Sequence, residues 1–142
     1  MMWVDQTYYK DTFCGDVLTT KFNKYIRKAQ QYIDYITLAK ANNAIHSNND
    51  FVIDKIKESV CIVAELYQEL DQEVLSNKQA IALSIENQLS SETVKSHSVS
   101  YKKQSDFKSE TEIQKEYEQK IYDEVYKTLW ATGLLYRGVA NV

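Results

Sequence analysis

Two histidines, two cysteines and two glutamates one helical turn apart are the side chains of this chain whose types invite chemistry. His46 falls in a polar stretch and His97 in a serine-rich one, and neither has a second ligand at helical spacing, so each reads as a surface or packed histidine rather than a metal ligand or general base. Ser96 and Ser98 flank His97, but no G-x-S-x-G elbow presents a nucleophile. Glu65 and Glu69 could pair as carboxylates. No histidine follows three residues on to complete a di-metal motif, and a solvated acidic face is the simpler account. Cys14 and Cys61 lack a CxxC spacing, which suits reduced thiols, and Cys61 lies beside the apolar positions Val60 and Ala64, where a small buried hydrophobe fits better than a nucleophile. The expectation is a protein without catalytic residues, metal or cofactor.

Two segments could instead bind something large. Lys95, Lys102, Lys103 and Lys108, with Tyr101 and Phe107 between them, combine charges that neutralise phosphates with rings that stack on bases. A net charge of −3 gives no general attraction to nucleic acid or to an anionic membrane, so a DNA contact would rest on this local patch. The second is the terminal run Leu134, Leu135, Tyr136, Arg137, Gly138 and Val139. An apolar terminus is costly in water, so it docks either on its own core or on a neighbour, and nine extended residues reach about 30 Å.

These segments need elements to carry them. The chain has 142 residues, no proline and three glycines, where average usage gives roughly seven and ten. That scarcity disfavours turn-rich β folds and glycine-rich phosphate loops. Phe22, Ile26, Ala29, Ile33 and Ile36 step by three and four, which predicts a helix over about 18–40, preceded by a brief turn or short helix rich in aromatics. Asp50 is placed to cap a second helix over about 50–75, with the stripe Ile53, Ile56, Val60, Ala64, Tyr67, Leu70 and Val74. Residues 50–77 hold seven acids against two lysines, so its outer face is acidic. Between Lys78 and Leu89 the apolar residues fit both a strand alternation and a helical step. Residues 90–109 read as a long loop or ribbon. Ser109 and Glu112 form a capping box for a third helix with Ile113, Tyr117, Ile121, Val125 and Leu129, ended by Gly133 in a left-handed C-cap. The fold expected is mainly α: three long amphipathic helices in a bundle with one extended insertion. The domain layout expected is one helical domain over 1–133 and a tail over 134–142. No apolar run is long enough to span a membrane. Eleven tyrosines against four phenylalanines suit half-buried and partner-facing surfaces.

The order of several short motifs resembles the head–tail connector (adaptor) proteins of long-tailed bacteriophages, often labelled DNA-packaging or head-completion proteins. The residues that carry the resemblance are Trp3-Val4-Asp5 with Tyr8-Tyr9 and Phe13-x-Gly15, the run Phe22 to Ala29 to Ile33-Asp34 with Thr37, Ser91-Glu92-Thr93-Val94 followed by Ser98-Val99-Ser100-Tyr101, and Thr132-Gly133-Leu134-Leu135-Tyr136-Arg137-Gly138-Val139. Lys95 stands where that pattern has glycine. The resemblance implies a non-enzymatic virion protein of the neck, assembled in the host cytoplasm as a ring of about twelve copies beneath the portal protein. The ring would extend the DNA channel, let DNA pass without specific binding, and offer a platform to the next neck or tail protein. It also implies that Leu135, Tyr136, Arg137 and Val139 hold the portal, and a lumen-facing acidic second helix fits the same picture. The alternative is a DNA-binding packaging factor that uses the lysine-rich segment.

Overall fold

The structure, a computed structural model, describes residues 2–18, 20–94 and 107–135. Among these residues the protein is mainly helical and has no strand. Helices α1 (Phe22–Ile36), α2 (Lys40–Ile45), α3 (Asp50–Val94) and α4 (Glu110–Leu129) are preceded by a π-helical turn, Tyr8–Thr12, and followed by a 3-10 turn, Trp130–Thr132. The chain forms two compact units, Met1–Gln68 with Gln119–Val142, and Glu69–Glu118, so α3 and α4 each contribute to both.

The first unit holds the main core. All five seam residues of α1 are buried, and they pack in one cluster with Ile56, Val60, Val63 and Ala64 of α3 and Ile121, Val125 and Leu129 of α4. Trp3, Val4 and Tyr9 from the N-terminal segment join it, and the Trp3 amide donates to Gln30 Oε1 at 2.8 Å. Each large apolar side chain so buried contributes about 1.5–3 kcal/mol.

The first helix stops earlier than its periodicity predicts. Thr37 Oγ1 donates to the Ile33 carbonyl at 2.7 Å and accepts from the Ala41 amide at 3.1 Å, which takes the place of continued helical pairing. Leu38 and Ala39 then adopt left-handed conformations, φ 56° and 65°, at a cost of about 1–2 kcal/mol per residue. The chain turns there and resumes as α2.

The cap of α3 is Asn49, whose Oδ1 accepts from the Val52 amide at 3.3 Å, rather than Asp50. Asp50 lies in the first turn, where its charge suits the helix dipole. The helix does not end near 75 but continues to Val94, so residues 90–94 are helical and not the start of a ribbon. No proline or glycine interrupts it. The alternation at 81–85 has no sheet behind it: Leu83 and Ile85 are exposed while Ser84 between them is buried.

Among the described residues of the second unit the buried side chains are fewer. Ile113 and Tyr117 of α4 are buried in it, and a set of polar links joins its two helices. Tyr117 donates to Glu73 Oε2 at 2.6 Å, Asn77 Nδ2 donates to the Lys108 carbonyl at 2.8 Å, and Lys78 pairs with Glu110 at 3.6 Å. Ser109 Oγ accepts from the Glu112 amide at 3.2 Å, as the capping box predicts.

Candidate docking interface

Every surface feature of the first unit depends on how its chain ends are tied down. Tyr9 is the tie at the N-terminal side. Its hydroxyl donates to Glu65 Oε2 at 2.6 Å and accepts from the amides of Val17 and Leu18 at 2.9 Å, so one buried oxygen fixes α3 and the segment that leads into α1. Burial, and then Glu65, pushes its phenol up to about 12. A Cβ at Gly15 would lie 2.2 Å from the Tyr9 ring, so only glycine lets the backbone cross there. Phe13 stacks on the same ring and Phe22 packs on it at a tilt, at centroid distances of 5.8 and 5.5 Å.

The other end is closed by Gly133, left-handed at φ 77° as a C-cap requires. Thr132 Oγ1 donates to the Leu129 carbonyl at 2.6 Å and accepts from the Leu134 amide at 3.2 Å. Leu134 is thereby buried in its own unit, and Leu135 packs against the same cluster. Leu134 and Thr132 also line an open hollow of about 530 Å³ with Lys40, Asn43, Ala44, Ser47, Asn49 and Val52.

Of the residues singled out in the sequence, Tyr136, Arg137, Gly138 and Val139 of the tail and Lys95, Tyr101, Lys102 and Lys103 of the basic segment lie outside the described residues, as does His97. Lys108 is described and is exposed, and its ammonium pairs with Glu116 at 2.9 Å, which raises its pKa. Glu65 is taken up by Tyr9. Cys61 is fully buried, and that burial, followed by Glu65 and Glu58, pushes its thiol up to about 12, the opposite of an activated nucleophile. No cluster of three metal-ligating side chains occurs among the described residues, and no helix among them is long and apolar enough to cross a membrane.

Sequence reasoning missed an exposed aromatic row. Tyr122, Tyr126 and Trp130 follow one another at i, i+4 and i+8 along α4 and its 3-10 extension, one residue beyond the buried stripe Ile121, Val125 and Leu129. They are 44%, 55% and 68% exposed, and Tyr122 and Tyr126 stack at 6.5 Å. A second stripe of the same period, its aromatic end Tyr35 at 79% exposure, runs along α1 through Arg27 and Gln31. The spacing was the available signal; it is masked by the stronger core stripe alongside. Exposed aromatics held on rigid helices are what a docking surface offers.

Comparison with known proteins returned no matching family model, no matching curated protein and no matching solved structure.

Proposed function

We propose that the chain is a non-enzymatic structural subunit, the head-to-tail adaptor of a long-tailed bacteriophage. In this reading it sits as a ring beneath the portal protein, extends the DNA channel and offers a platform to the next neck or tail protein. The observation that carries the reading is the ordered set of motifs from Trp3 to Val139. It is supported by where the described part of that set lies. Trp3, Val4, Tyr9, Phe22, Ala29, Ile33 and Leu134, drawn from both ends of the chain, are members of one core. The exposed aromatic stripes further suit a protein that acts by docking rather than by reaction.

In this reading Leu135, Tyr136, Arg137 and Val139 hold the portal, and Leu134, buried in its own unit, anchors the start of the tail. The test is the mass of the particle formed with portal-bearing capsids, measured for the full chain and for a chain truncated after Leu135. The full chain should join the capsids in multiple copies. The truncated chain should melt at the same temperature and fail to join. A full chain indifferent to the portal overturns the proposal. DNA affinity that falls steeply with salt would favour the packaging-factor reading instead.

A further inference from the structure

The two exposed stripes of the first unit differ in chemistry. The α4 stripe is aromatic: Tyr122, Tyr126 and Trp130 present electron-rich ring surface, and the four charges of residues 119–130 sum to zero. The exposed side of α1 is basic, with Lys21, Lys24, Arg27 and Lys28 against no exposed acid. Arg27 has no hydrogen-bond or ion-pair partner among the described residues, and the stripe it opens passes through Gln31 to Tyr35. A guanidinium, an amide and a ring at i, i+4 and i+8 match three rings at the same spacing, because arginine stacks on aromatic faces and ridges of equal period interdigitate.

We infer that the occupant of the α4 aromatic stripe is the α1 stripe of a second copy of this chain. The contact joins unlike surfaces, so each copy keeps one free face of each kind and further copies can add head to tail. The inference deepens the ring proposed above and rests on it only for the closure of the array. Its strength follows from its size. With about 150–250 Å² per large aromatic side chain, the exposed parts of Tyr122, Tyr126 and Trp130 amount to roughly 400 Å². The α1 stripe adds roughly as much again, for a total below the roughly 1,200 Å² at which stable interfaces begin. The contact therefore falls in the small, transient class of interfaces, and a template that gathers copies would supply the rest.

Sedimentation equilibrium of the purified chain without portal tests this, using Tyr126→Lys to block one stripe and Tyr35→Lys to block the other. Both positions are exposed, and unchanged melting curves establish that the variants fold. Wild-type protein should form dimers and higher species as concentration rises toward 1 mM. Each variant alone should associate at least tenfold more weakly, and Arg27→Ala should weaken association by a smaller factor. An equimolar mixture of the two lysine variants should recover wild-type affinity but stop at the heterodimer, since only one intact pair of faces remains. A monomeric wild type at 1 mM overturns the inference. So does a Tyr35→Lys variant that associates normally, which would mean that aromatic stripe meets aromatic stripe. Portal binding is read separately, so heterologous association without portal binding defeats the adaptor reading alone, and portal binding with normal self-association of Tyr35→Lys defeats this inference alone.

Discussion

A tyrosine-to-glutamate hydrogen bond of 2.6 Å occurs in each unit, Tyr9 to Glu65 in the first and Tyr117 to Glu73 in the second, and the settings of the two differ. Tyr9 belongs to a large apolar cluster, accepts from two backbone amides besides, and is packed by two phenylalanines. Tyr117 donates to Glu73, and burial first, then the bond to Glu73 and the charge of Glu69, raise its pKa. In the first unit the polar bond positions a segment that apolar burial already holds. In the second, the bond is one of several polar links between α3 and the described residues of α4 and its lead-in. Leu75, Leu83 and Ile85 stay exposed there.

Core truncation gives the largest contrast. Ile33→Ala should cost about 2–5 kcal/mol in urea unfolding, while Ile113→Ala, outside the main apolar cluster, should fall toward the low end of that range. Equal costs would erase the distinction between the units. Next come the ties themselves. Gly15→Ala drives a methyl into the Tyr9 ring and should cost about 1–3 kcal/mol, more than Gly133→Ala, where the added Cβ meets nothing and only the left-handed backbone objects. Tyr9→Phe leaves two amides and a carboxylate without their partner and should likewise cost about 1–3 kcal/mol, against about 1 kcal/mol for Tyr117→Phe, whose carboxylate can turn to water.

Alkaline pH acts on both units, since burial raises the pKa of Tyr117 in the second as it does for groups of the first. Cys61 titrates near 9 when exposed and near 12 when folded, and Tyr8 and Tyr9 move from 10 to about 12, in each case chiefly through burial. The unfolded chain thus gives up these protons first. Stability is at its full value below about pH 9 and is lost as pH rises toward about 12. A pH series of thermal melts should show this, and Cys61→Ala should shift the onset from about 9 to about 10. The smallest effects are polar. Ser59→Ala removes a buried hydroxyl without a hydrogen-bond partner and should leave the melting temperature unchanged or raise it. Lys78→Ala breaks an exposed pair and should cost less than about 1 kcal/mol, vanishing at high salt.

The helices were legible in the sequence wherever a single apolar face met the core. Phe22 to Ile36 and Ile113 to Leu129 follow their stripes residue by residue, while Gly133 is left-handed as expected but closes the 3-10 turn after α4 rather than α4 itself. What was hidden depends on side-chain chemistry or on distant partners. Leu38 and Ala39 are ordinary helix residues by propensity, yet the helix ends there in a left-handed turn in which their amides bond back to the Tyr35 and Asp34 carbonyls. Asn49 and Asp50 are both good caps, and only the backbone decides between them. Tyr9 and Glu65 are 56 residues apart, beyond the reach of any periodicity. The aromatic stripe of α4 was visible as spacing, but apolar residues are counted toward a core until their exposure is known.

The left-handed pair Leu38 and Ala39 makes the bend after α1 from residues with less backbone freedom to lose on folding than glycine. Tyr35, one turn before the bend, is carried on the regular helix α1. A partner that meets it loses little conformational freedom in doing so, so even a small contact keeps most of the free energy it gains.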